Sequence, residues 1–158
     1  MKKIILSLML LIMAVGAKAQ FDKGTTYLSA SATGLGMSYS SNEKFTLGMN
    51  VNAGYFVEQA WMIYGVLGYD HTRYSDNFAI GTGARYYFTQ NGIYLGFGLQ
   101  YEHQTKSINN LQFCPEVGYA FFINRFITIE PALYYHMSLN DFDDGSKVGL
   151  KLGLGFYF

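Results

Sequence analysis

From Lys147 to Phe158 the chain reads KVGLKLGLGFYF, and its side chains separate by parity. Val148, Leu150, Leu152, Leu154, Phe156 and Phe158 share one face of an extended strand, while Lys147, Gly149, Lys151, Gly153, Gly155 and Tyr157 share the other. A soluble chain usually frays into polar residues at its C-terminus; this one stays apolar to its last residue, so that face requires a partner sheet or lipid. The same two-residue period recurs upstream. It predicts eight strands, at 25–39, 44–57, 61–74, 77–89, 93–106, 111–123, 126–139 and 147–158. Beyond the first twenty residues no segment carries the period of an amphipathic helix.

The connections are of two kinds, and the kinds alternate. VEQA (57–60), TQNG (89–92) and INR (123–125) are tight, and Asn91-Gly92 is a hairpin signal. SSNE (40–43), YSDN (74–77), KSINN (106–110) and NDFDDGS (140–146) are polar and mostly longer. One kind therefore lies at each end of the strands. Each strand runs about ten residues or more, the length at which a tilted strand crosses a bilayer. The prediction is an all-β fold, an eight-stranded antiparallel up-and-down transmembrane β-barrel with both termini at the short-turn end.

A repeat supports that register. Tyr55, Tyr86 and Tyr119 are spaced 31 and 33 apart, and Tyr69, Tyr101 and Tyr134 are spaced 32 and 33 apart. One rising strand plus one falling strand, with connections, gives that period. Aromatic residues also collect at strand ends. Tyr55/Phe56, Tyr87/Phe88, Phe121/Phe122 and Tyr157/Phe158 mark the short-turn end; Tyr39, Phe45, Tyr69, Phe78 and Tyr101 mark the other. These are expected to form two belts at the height of lipid headgroups.

The first residues, MKKIILSLMLLIMAVGAKAQ, place Lys2 and Lys3 before an apolar run and small residues at Ala17 and Ala19. This is the layout of a secretory signal peptide, residues 1–19, cleaved after Ala19 to leave a barrel of residues 20–158. The apolar run is too short to span a bilayer as a helix, and no cysteine stands at the expected new N-terminus to take a lipid.

Composition agrees with an exported membrane protein. Only 14% of the residues are charged and 18% are aromatic, against roughly a quarter charged in soluble domains. Loss of Lys2, Lys3 and Lys18 leaves eight basic and eleven acidic residues, a net charge of −3 that gives nucleic-acid binding no support. The single cysteine, Cys114, has no intramolecular disulfide partner.

A signal peptide, eight alternating strands, the segments GYFVEQAWMIYGVLGY and PEVGYAFFIN, and a terminal phenylalanine together resemble the outer-membrane β-barrel domain family. These are the small OmpX/OmpA-like, porin-like barrels of Gram-negative bacteria. The resemblance covers the whole mature chain. It implies an integral protein of the cell outer membrane, a monomer surrounded by outer-membrane lipid. It also implies that the barrel-assembly machinery reads the last strand, a role that falls on Phe156 and Phe158.

With the apolar set outward, the inner set holds Asp70, Arg85, Glu102, Glu116, Glu130 and Lys151, together with Asn50, Asn52, Gln100, Gln112, His136 and many glycines. An eight-stranded barrel is just wide enough for side chains to fill, and buried charges must pair. The heights of these positions predict a closed polar network, with Arg85–Glu130 below, Lys151–Glu116 at the middle, and Glu102 and Asp70 above. The alternative is a narrow water path for ions or small solutes.

Candidate chemistry is sparse. His136-x-Ser138 in YHMSLND resembles the His-x-Ser of outer-membrane lipid A deacylases, with Asp141, Asp143 and Asp144 close by, but both residues share the inward face and no orienting acid stands at a suitable strand position. DFDDGS (141–146) gathers three carboxylates yet lacks the rest of a Ca²⁺ loop, and reads as a solvated acidic turn. Two features interrupt the pattern: TGLG (33–36), where a glycine bulge would shift the phase, and Pro115 and Pro131, which fall inside strands six and seven. The expectation is a small non-catalytic barrel without a cofactor, contributing to envelope integrity or surface interaction. A narrow channel is the second reading and a lipid A-modifying enzyme the third.

Overall fold

The computed structural model describes residues 21–33, 47–72, 75–104, 109–139 and 146–158, and within them all side chains except those of residues 33, 47, 70–72, 75, 76, 104, 109 and 147. The leader expected at 1–19, the TGLG segment beyond Thr33, Tyr39 and Phe45 lie outside the described residues, as does most of each longer connection.

The strands β1 (Thr26–Thr33), β2 (Leu47–Glu58), β3 (Trp61–Thr72), β4 (Ser75–Tyr87) and β5 (Ile93–Gln104) form successive antiparallel staves. The sixth stave comes in three pieces, β6 (Asn109–Phe113), β7 (Glu116–Tyr119) and β8 (Phe121–Phe122). Then follow β9 (Ile127–Ser138) and β10 (Lys147–Tyr157), and β10 pairs with β9 on one side and β1 on the other. The sheet thereby closes into an eight-stave barrel, and among the described residues no stave is left as a free edge.

Parity sorts the two faces. Leu67, Ile80, Phe97, Leu133 and Leu152 point outward with about half their area exposed, whereas Asn52, Arg85, Glu116 and Glu130 point inward and are buried. A continuous apolar outer wall of this extent is what hydrocarbon accepts and water does not.

The tight connections hold by local chemistry. In the turn after β4, the Gly92 N–H donates to the Phe88 carbonyl at 2.8 Å with Gly92 at φ +77°, the left-handed region where a side chain would be strained. In the turn before β9, Asn124 Oδ1 accepts from the backbone N–H groups of Phe126 and Ile127, both at 2.8 Å.

The sixth stave departs from the continuous strand expected over 111–123, and the two prolines supply the reason. Its pieces meet β9 in one register: Gln112 opposite Ser138, Glu116 opposite Tyr134, Phe121 opposite Ile129. That register sets Pro115 against Tyr135 and Pro131 against Tyr119. The Tyr135 N–H donates to the Pro115 carbonyl at 3.0 Å, but proline has no N–H to return the bond. Pro131 likewise offers nothing to the Tyr119 carbonyl. Both missing donors fall on the same seam, between the sixth stave and β9, and the strand breaks beside each.

The short-turn aromatic belt also needs correction. Adjacent residues on a strand face opposite sides, so each aromatic doublet splits. Tyr55, Phe88, Phe121 and Phe158 face outward as a belt, while Phe56, Tyr87 and Tyr157 are fully buried inside and Phe122 packs against them. At the other end Tyr69, Phe78 and Tyr101 do face outward.

Candidate functional site

The barrel interior is built in layers, starting at the short-turn end. There the chain enters the barrel mouth. The Ala60 N–H donates to the Phe21 carbonyl at 2.8 Å and the Gly24 N–H to the Phe56 carbonyl at 2.9 Å, which draws Phe21 inside until it is 1% exposed. Its ring stacks on Tyr87 at 4.4 Å between centroids and meets Phe122 and Tyr157 edge-on at 5.6 and 5.9 Å. With Phe56 these rings form an aromatic floor across the barrel.

Above the floor lies a chain of charges. Arg85 Nε donates to Glu116 Oε1 at 2.6 Å, and Arg85 Nη1 approaches Glu130 Oε2 at 3.4 Å. Lys151 donates to the other oxygen of Glu116. The order of the chain is Lys151, Glu116, Arg85, Glu130. Glu130 also accepts from the hydroxyls of Tyr27 at 2.6 Å, Tyr157 at 2.9 Å and Thr128 at 2.8 Å. The Tyr27 hydroxyl in turn accepts from Arg85 Nη1 at 2.9 Å. Tyrosine rings surround the guanidinium, with centroids 5.5 Å away at Tyr27, 4.9 Å at Tyr64 and 4.6 Å at Tyr94.

Glycines make room for this packing. A side chain at Gly83 would lie 2.5 Å from the Phe97 carbonyl oxygen and 2.7 Å from the Tyr64 ring; one at Gly155 would collide with Glu130 and Thr128. The inner glycines of β4 and β10 are therefore sockets for large side chains from neighbouring staves.

The upper part is looser. A cavity of about 40 Å³ lies on the far side of Glu116 and Lys151, bordered by Asn50, Gln100, Cys114 and His136; it has room for about three waters. The Cys114 thiol is half-buried and lies 3.8 Å from Gln100 Oε1. Higher still, Gln112 Nε2 donates to Glu102 Oε2 at 2.6 Å, and the Ser138 hydroxyl donates to Asn110 Oδ1 at 2.7 Å.

Of the residues singled out by the sequence, Arg85, Glu116, Glu130 and Lys151 meet as one connected chain rather than as two separate pairs. Glu102 stands apart from it, bonded to Gln112. Asp70 occupies β3 opposite Asn77, and its side chain lies outside the described ones. Phe156 is half-buried and Phe158 is 68% exposed; the backbone of Phe158 exchanges two hydrogen bonds with Thr26, at 2.9 and 3.0 Å, so the last residue still belongs to the seam that closes the ring. The Ser138 hydroxyl proton is directed at Asn110, and the His136 ring packs on Tyr134 at 4.7 Å. The DFDDGS carboxylates of Asp141, Asp143 and Asp144 lie outside the described residues. Sequence reasoning missed Phe21 and the tyrosines around Arg85. Parity carried the signal for Tyr27 and Tyr94, which share strand faces with Ser29 and Ser31 and with Gly96 and Gly98.

A closed ring of eight antiparallel staves, apolar outside and polar inside, defines a small transmembrane β-barrel. No protein-family model and no curated protein sequence matches the chain. Solved structures do. The N-terminal barrel domain of OprF from Pseudomonas aeruginosa is similar with a TM-score of 0.67 and 16% identity, over 86% of this chain and 98% of that one. The Neisserial surface protein A gives 0.59 and 15%, over 85% and 96%. A de novo designed transmembrane β-barrel gives 0.56 and 12%, over 87% of this chain and 98% of that one.

Proposed function

We propose that the chain is an integral outer-membrane protein whose barrel is sealed and non-catalytic, and which serves the envelope through its wall and its outer connections. The short-turn end faces the periplasm and the longer connections face outward, as in other small barrels. The observation that carries this reading is the double closure of the lumen, an aromatic floor centred on Phe21 and, directly above it, the chain from Lys151 to Glu130. A solute on this path would have to displace Phe21 from its ring contacts and then part Arg85 from two carboxylates. The likeness to a designed barrel is a reminder that the fold supplies no activity by itself.

Within this proposal the last strand, with Phe156 and Phe158, is the segment read during assembly into the membrane. The protein works as a monomer among outer-membrane lipid. Two measurements test the reading. Liposomes carrying the refolded chain, residues 20–158, should swell in small sugars no faster than empty ones; rapid swelling would replace the sealed reading by the channel. Lipid A from cells with and without the protein should give the same mass spectrum, and a loss of acyl chains that depends on Ser138 would establish the enzyme instead.

A further inference from the structure

Glu102 has a property that the sealed interior does not use. The inward charges among the described residues are two cations, Arg85 and Lys151, against three carboxylates, Glu102, Glu116 and Glu130. Of these carboxylates, Glu116 and Glu130 are bridged by Arg85. Glu102 is 4% exposed, and its one hydrogen bond comes from the neutral amide of Gln112, itself 1% exposed. A carboxylate only accepts, so the amide must turn its NH2 toward Glu102 and its carbonyl oxygen away. Glu102 Oε1 and Gln112 Oε1 are both buried without a hydrogen-bond partner. Two orphan acceptors on hydrogen-bonded neighbours, together with a carboxylate that no described cation meets, are costly, and a cation reached by both free oxygens relieves them.

We propose that Glu102 and Gln112 hold a hard cation, an alkali or alkaline-earth ion, on the long-loop side of the Arg85 layer. The register supplies a further oxygen: Asn110 stands opposite Glu102, and Asn110 Oδ1 keeps a lone pair after accepting from Ser138. Carboxylate and amide oxygens with no sulfur or imidazole among them select hard ions. Because the donors come from β5 and β6, an ion there ties together two staves next to the proline-weakened seam.

The test is thermal unfolding of the refolded mature barrel in zwitterionic micelles, after chelation, in choline chloride, sodium chloride or calcium chloride at matched ionic strength. A melting temperature several degrees higher in sodium or calcium than in choline is expected. Glu102→Gln, an isosteric neutral change, should fold and lose that difference. Gln112→Met, which keeps the carboxylate, should move the response to higher cation concentration. Equal melting temperatures in all three salts would overturn the proposal. So would a response that survives E102Q, which would place the ion elsewhere, for example at the acidic turn of 141–146. A protonated-carboxyl infrared band in the presence of the salts, absent from E102Q, would also overturn it, since a proton would then occupy the place of the ion.

Discussion

Arg85 is where the interior is most tightly coupled. One guanidinium touches two carboxylates, the Tyr27 hydroxyl and the faces of tyrosine rings while being 1% exposed. Arg85→Met would leave Glu116 with Lys151 alone and Glu130 with only hydroxyl donors. Removing one partner of a buried pair typically costs about 3–5 kcal/mol, so denaturant unfolding of the refolded variant should show a loss of that size. Gly83 makes a complementary case. Gly83→Ala pushes a methyl against the Phe97 carbonyl, which belongs to the adjacent stave and cannot rotate away. The same measurement should record a loss of about 1–3 kcal/mol. Parity alone placed Arg85, Glu116 and Glu130 inside. The Arg85–Glu116 contact was not legible, because the cross-barrel reach of a long side chain depends on register and on which glycines leave space.

At the scale of elements, the seam between the sixth stave and β9 carries two proline gaps, and its amides should be the least protected in the wall. Pro131→Ala returns a donor opposite the Tyr119 carbonyl and allows β7 and β8 to join. Hydrogen–deuterium exchange across residues 116–122 should slow in that variant, while exchange in β2–β3 stays as it was. Unchanged exchange would mean that the gap at Pro131 is not what divides the stave. The strands themselves were legible because one face of each must be apolar over its whole length. The three-piece stave was not, since the cost of a proline depends on which neighbour its nitrogen faces. The aromatic doublets mislead for a related reason: spacing identifies a strand end, yet of any two adjacent rings one turns inward. In Tyr87-Phe88 the inward ring became floor and the outward ring became belt.

For the whole molecule, these layers make closure a property of the sequence rather than of a mobile plug. Phe21 lies ahead of the first strand and seals the short-turn mouth from within. Phe21→Ala removes a fully buried ring from the floor, and thermal or denaturant unfolding should show a loss of about 3–5 kcal/mol. The Arg85 layer would remain above the hole, and the variant barrel should still not conduct. Nothing in a lone Phe21 ahead of the first strand marked it in the sequence as a stopper. Only the closed ring shows what lies beneath.

The most direct test of the sealed interior is single-channel current from residues 20–158 refolded into a planar lipid bilayer, with insertion verified by protease protection. An inserted barrel that stays silent at all applied voltages is the expected result. Stable, reproducible conductance steps would contradict it, and Lys151 and Glu116 would then be the first residues to neutralise.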